Sequence, residues 1–170
     1  MFLIMKKSLF IAFLAVVSVC VNAKDKWEYQ SNFTEGRACV KDSKGKWGYI
    51  DESGKVISPC QWRSVRYYQE GLGCVVDAEE KYGYVDLNGN VVIPCQFFYG
   101  GWFSEGLAAV AISADYSIKY GFIDKTGKIV IPCQWENAYS FEKGVAKVQV
   151  KLDDGTRVWR KIDKTGKYVE

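Results

Sequence analysis

Short stretches of alternating apolar and polar residues recur along the chain, and each ends at the same kind of turn. In Ile50-Asp51-Glu52-Ser53-Gly54-Lys55-Val56 an apolar run meets Asp-x-x-Gly, where the aspartate side chain can cap the turn and the glycine can take the left-handed conformation. The pattern predicts a β-hairpin. It is written four times, at Asp51 to Gly54, Asp86 to Gly89, Asp124 to Gly127 and Asp163 to Gly166. Another short apolar strand precedes each hairpin, as in Arg37 to Lys41, and a polar link joins the two. The expected unit is therefore a three-stranded antiparallel meander. What remains of each unit, Trp62 to Glu70 in the second, has no clear period and reads as an ordered link with room for a helical turn. No stretch sustains a 3.6-residue period, so the fold is expected to be mainly β.

The four hairpins share one phase. Trp27, Trp62, Phe97 and Trp135 each stand nine residues before Gly36, Gly71, Gly106 and Gly144, with offsets of 35, 35 and 38 between copies. The units run over residues 27–61, 62–96, 97–134 and 135–170. A fixed period near 35 marks a repeat architecture of tandem units. A lone unit of this size cannot bury its apolar face, so neighbouring copies must pack on one another and the terminal copies must seal the ends. An open, twisted stack is expected rather than a closed, propeller-like ring.

Particular motifs carry a resemblance. Lys46-Trp47-Gly48-Tyr49-Ile50-Asp51, the following Gly54-Lys55-Val56-Ile57, the Pro59 ending and Glu70-Gly71-Leu72 resemble the WG-repeat family over residues 27–170. Tyr82-Gly83 and Tyr120-Gly121 are conservative departures, whereas Trp159-Arg160 loses the glycine. The resemblance implies bacterial β-repeat modules that often accompany other domains and have no established catalytic centre.

Residues 1–23 read as a cleavable export signal: Lys6 and Lys7 precede an apolar run from Leu9 to Val21, and Val-Asn-Ala stands before Lys24. The domain proper is then residues 24–170, placed in the periplasm, outside the cell or at its surface, with no membrane insertion once the signal is removed. Without Lys6 and Lys7 its net charge is +1, which supplies no general field for nucleic acid.

The chain of 170 residues contains no histidine. That absence removes Ser-His-Asp and Cys-His catalysis and histidine-ligated metals. Neither an enzyme nor a metal or other cofactor is expected. Five cysteines remain after the signal, and repeat phase allows equivalent bridges Cys39–Cys60 and Cys74–Cys95, stranding Cys133. The competing reading, that all five are small buried apolar residues, is preferred. The four turn aspartates are explained by their shared phase as turn caps. One stretch breaks the repeat while the frame around it holds: Phe98-Tyr99-Gly100-Gly101-Trp102 replaces Arg63-Ser64-Val65-Arg66-Tyr67 of the unit before. Phe98, Tyr99 and Trp102 are therefore the candidate binding residues, since aromatic faces anchor protein partners and stack on sugars. The expected role is a binding scaffold for an envelope protein, with an envelope glycan as the alternative ligand.

Overall fold

The computed structural model describes residues 26–114 and 117–170, so the export signal expected at residues 1–23 lies outside the described residues. Each unit is one four-stranded antiparallel sheet with its strands in chain order. The first sheet holds β1 (Tyr29–Gln30), β2 (Arg37–Lys41), β3 (Trp47–Asp51) and β4 (Val56–Trp62). The second holds β5 (Ser64–Gln69), β6 (Leu72–Val76), β7 (Tyr82–Val85) and β8 (Val91–Phe97). The third holds β9 (Tyr99–Ser104), β10 (Leu107–Ala114), β11 (Ser117–Ile123) and β12 (Ile129–Trp135). The fourth holds β13 (Asn137–Ala138), β14 (Val145–Lys151), β15 (Arg157–Asp163) and β16 (Tyr168–Val169).

The mainly β tandem array stands as expected, but each unit has four strands and not three. The segment read as a link is the extra strand. It turns into the next through a two-residue loop, Glu35-Gly36 in the first unit, with both residues at positive φ (52° and 71°). Glu70-Gly71, Glu105-Gly106 and Lys143-Gly144 repeat it. Two positive φ values make the mirror-image turn that matches strand twist, and Asn or Asp normally fills its first position. Glutamate or lysine there hid the hairpin. So did the register shifts between Val65 and Tyr68 of β5 and opposite β9, which break the period-two pattern.

The Trp-Gly glycine is explained by the last strand of the sheet. Pairing of β3 with β4 jumps from Trp47↔Trp62 to Tyr49↔Ser58, so Pro59, Cys60 and Gln61 bulge across Gly48. A Cβ there would lie 2.5 Å from the Ser58 carbonyl oxygen. Gly83 and Gly121 face the same bulge in the next two sheets, at 2.6 Å from Ile93 O and 2.5 Å from Ile131 O. The fourth sheet ends in a two-residue β16 with no such bulge, and its pairing reaches only Lys161 and Ile162. Arg160 therefore occupies the glycine position without a clash.

The core lies between consecutive sheets. Cys39, Tyr49, Tyr68 and Val85 fill the first interface; Tyr84, Phe103, Val110 and Ile123 the second; Phe122, Phe141, Val148 and Ile162 the third. No core cluster among the described residues joins the fourth sheet to the first, so the array is open.

All five described cysteines are free thiols. The intra-unit bridges considered from repeat phase do not fit this sheet order. Cys39 on β2 pairs with Tyr49 on β3, which pairs with Ser58 on β4, leaving Cys60 two strands away. Two strand spacings put the Cα atoms about 9–10 Å apart, beyond the roughly 7 Å a disulfide spans. Cys74 and Cys95 are separated in the same way by β7. Burial instead pushes the thiols of Cys39 and Cys95 up to about 11 and that of Cys74 up to about 12.

Candidate functional site

The first strands of the sheets carry the groove. Ser31, Arg66, Gly101 and Tyr139 occupy one repeat position, and Asn32, Tyr67, Trp102 and Ser140 the next; of these, Ser31, Arg66, Tyr67, Trp102, Tyr139 and Ser140 line the pockets. Three open pockets run along it. One of about 180 Å³ is lined by Tyr29, Ser31, Trp47, Arg66, Tyr67 and Trp102. The largest, about 730 Å³, is lined by Trp102, Ser104, Tyr139, Glu142, Lys147 and Lys161 among others. The third, about 370 Å³, is lined by Tyr139, Lys147, Trp159, Arg160 and Lys161. Trp102 is shared by the first two, and Tyr139, Lys147 and Lys161 by the last two. The result is one continuous track across the array.

Buried tyrosines of one sheet hold the groove backbone of the next. The Tyr49 hydroxyl donates to Arg66 O at 2.7 Å, and the Tyr84 hydroxyl donates to Gly101 O at 2.8 Å. Desolvation by burial drives both phenols far above their ordinary pKa, so the hydroxyls remain donors at any physiological pH. The equivalent residue of the third unit, Phe122, has no hydroxyl. There Ser104 Oγ donates to Phe141 O at 2.7 Å instead.

Within the groove the aromatic rings stay substantially exposed: Tyr67 by 45%, Trp102 by 42% and Tyr139 by 58%. The Arg66 guanidinium lies over three rings, 5.8 Å from Tyr82, 5.5 Å from Tyr99 and 5.4 Å from Trp102. Tyr139 stacks on Trp159, with centroids 4.9 Å apart and planes 23° from parallel. Trp159 is exposed; β15 pairs with β16 only at Lys161 and Ile162, whereas Trp47, Tyr82 and Tyr120 pair with Trp62, Phe97 and Trp135. A hydrogen bond between the Tyr29 and Tyr67 hydroxyls holds Tyr67 above its ordinary pKa.

Of the residues singled out from sequence, Trp102 sits at the junction of two pockets. Tyr99 is packed between Tyr82 and Tyr120, at 5.7 and 5.5 Å, and meets the site only through Arg66. Phe98 lies outside the groove lining, under the Lys81 ammonium at 3.1 Å from the ring centre. The three do not form one platform. Gly100 and Gly101 are buried, and a Cβ on Gly100 would lie 2.9 Å from the Tyr84 hydroxyl, so close packing rather than flexibility demands glycine. The turn aspartates serve their own loops: Asp51 Oδ1 accepts from Ser53 N at 2.9 Å and Lys55 N at 3.0 Å, and Asp86, Asp124 and Asp163 repeat the arrangement. Gly54, Gly89, Gly127 and Gly166 close those loops at φ of 82–84°. Sequence reasoning missed Arg66, Tyr67, Tyr139 and Trp159. A signal existed, since both groove positions change chemistry from unit to unit while their neighbours keep phase.

The profile of the WG containing repeat matches residues 47–77, 82–112 and 120–151. The chain belongs to the WG-repeat family. Each matched WG repeat begins at the Trp-Gly strand or its equivalent and ends in the second strand of the following sheet. One WG repeat thus contributes half of two sheets, and the groove position lies inside each match, at Arg66–Tyr67, Gly101–Trp102 and Tyr139–Ser140. No curated protein matches the chain.

Proposed function

We propose that this WG-repeat chain is an exported, non-catalytic scaffold that binds an extended segment of another protein along the groove of first strands, in the periplasm or at the surface of a bacterial cell. The observation that carries this reading is the continuity of three pockets through Trp102 and Tyr139. A track of that form suits a chain better than a compact small molecule. Tryptophan, tyrosine and arginine are also the side chains that dominate protein-binding hot spots. Sugar stacking wants an open ring face. Here Arg66 lies over Trp102, while Tyr139 and Trp159 cover one face of each other. The groove accordingly favours a protein segment over an envelope glycan.

The test is co-sedimentation of residues 24–170 with washed cell-wall sacculi, before and after protease treatment, using the wild type and a Trp102→Ala, Tyr139→Ala variant. Retention that protease abolishes and the variant loses supports the reading. Retention that survives protease and is relieved by soluble glycan would replace the protein partner with a glycan.

A further inference from the structure

The groove is lined by more cations than carboxylates. Five cations outside the groove meet acids: Lys119 and Arg157 with Glu136, Lys125 with Glu70, Lys164 with Glu105, and Arg63 with Glu80. Along the groove the lining brings together Arg66, Lys147, Arg160 and Lys161 against a single carboxylate, Glu142. Among the described residues no Asp or Glu side chain forms a salt bridge with Arg66, Lys147, Arg160 or Lys161. Arg66 has only aromatic neighbours over which its charge rests. Lys161 donates to the main-chain oxygen of Glu170, the last described residue, at 3.2 Å, and Arg160 lies over Tyr168. With a net charge of +1 on residues 24–170, this concentration is a local feature and not a consequence of a basic protein.

A guanidinium partly withdrawn from water and left without an acid is held ready for an anion, and its planar fork matches a carboxylate bidentately. Lysines are less exacting and act as point charges. Between the two cationic ends the rings of Trp102 and Tyr139 offer apolar contact. We propose that the groove selects an acidic protein segment, one carboxylate received by Arg66 and others by Lys147 and Lys161, with apolar side chains of the segment on Trp102 and Tyr139. This rests on the reading of the groove as a protein-binding track.

The experiment is selection of a displayed random dodecapeptide library on residues 24–170, with the Trp102→Ala, Tyr139→Ala variant used for counter-selection. Synthetic versions of the recovered peptides are then titrated by fluorescence polarisation against the wild type, Arg66→Gln and a Lys147→Gln, Lys161→Gln pair. Circular dichroism and thermal midpoints establish that the variants are folded, and Arg66→Lys separates loss of the fork from loss of the charge. Groove-dependent peptides rich in Asp and Glu are expected. They should bind each charge variant at least about tenfold more weakly, since each removes two charge-assisted hydrogen bonds. Added salt should weaken them further. Groove-dependent peptides without acidic enrichment, or indifferent to Arg66→Gln, would overturn the acid selectivity and leave the protein-binding track standing. Recovery of no groove-dependent peptide, with or without Arg66-dependent binding of a soluble polyuronate, would overturn the protein segment itself.

Discussion

The backbone N–H of Gly106 donates to the Glu70 carboxylate at 3.0 Å, across the boundary between the second and third units. The same clasp joins Gly71 to Glu35 at 2.8 Å and Gly144 to Glu105 at 3.0 Å. Glutamate at positive φ is conformationally costly. Its carboxylate offsets that cost by capping the next unit's turn, and Lys125 and Lys164 reinforce the clasp on Glu70 and Glu105. In the fourth unit the position is Lys143, whose ammonium cannot accept such a bond. Glu70→Ala is expected to lower stability by about 1 kcal/mol, given partial exposure. Urea denaturation checks it, and an unchanged midpoint would show that the clasp is incidental.

Acid should loosen the array. The Lys125 ammonium and the Gly106 N–H outweigh partial burial and hold Glu70 below its ordinary pKa. Hydrogen bonds from Lys164 and Gly144 depress Glu105, and those from the turn hydroxyl and N–H groups depress Asp51, Asp124 and Asp163. A carboxyl depressed in the folded state binds more protons when unfolded, so its contribution is complete above the unfolded pKa near 4 and is lost as pH falls through the folded value. Stability measured from pH 6 down to about 2 should therefore fall, and a Glu70→Gln, Glu105→Gln variant should show a shallower fall. Parallel curves would contradict the assignment.

Gly83→Ala should be severely destabilising, by about 3 kcal/mol or more, because the bulged backbone of β8 leaves no room for the new methyl. Arg160→Gly, the same repeat position without a bulge opposite, should change stability by about 1 kcal/mol or less. Thermal midpoints of the two variants test whether the bulge, and not the Trp-Gly pair as such, imposes glycine.

Tyr84→Phe should cost about 1–2 kcal/mol by leaving the Gly101 carbonyl without its donor. It should also weaken binding in the groove, since that carbonyl belongs to the strand that carries Trp102. Chemical denaturation gives the first quantity and peptide titration the second.

Alkylation of the native protein at pH 8 should spare Cys39 and Cys74, whose thiols are buried and pushed far above that pH. Mass spectrometry after denaturation should count five free thiols in residues 24–170. A native bridge between Cys39 and Cys60 would require strands β2 and β4 to be rearranged around β3.

Repeat phase and turn chemistry carried the array, the unit boundaries and the Asp-x-x-Gly hairpins, because those features are local and written four times. The fourth strand was illegible because Glu35, Glu70, Glu105 and Lys143 are unusual at a mirror-image turn and because β5 and β9 carry bulges. Trp102 was legible as a residue that breaks the repeat. Its relation to Arg66 and Tyr67 was not, since packing of consecutive sheets brings residues a full unit apart into one pocket. Phe98 and Tyr99 share the composition of a binding cluster without its placement, because a bulge and inter-unit packing send neighbouring side chains to different surroundings.

The most direct test of the account places a photoreactive phenylalanine analogue at Tyr67 or Tyr139 in the groove, or at Ser53 or Asn88 in the Asp-x-x-Gly hairpins, and irradiates the protein in living bacterial cells. Discrete protein adducts from positions 67 and 139, with none from 53 and 88, are the predicted result. Adducts confined to positions 53 and 88 would contradict it and move the binding surface to the Asp-x-x-Gly hairpins.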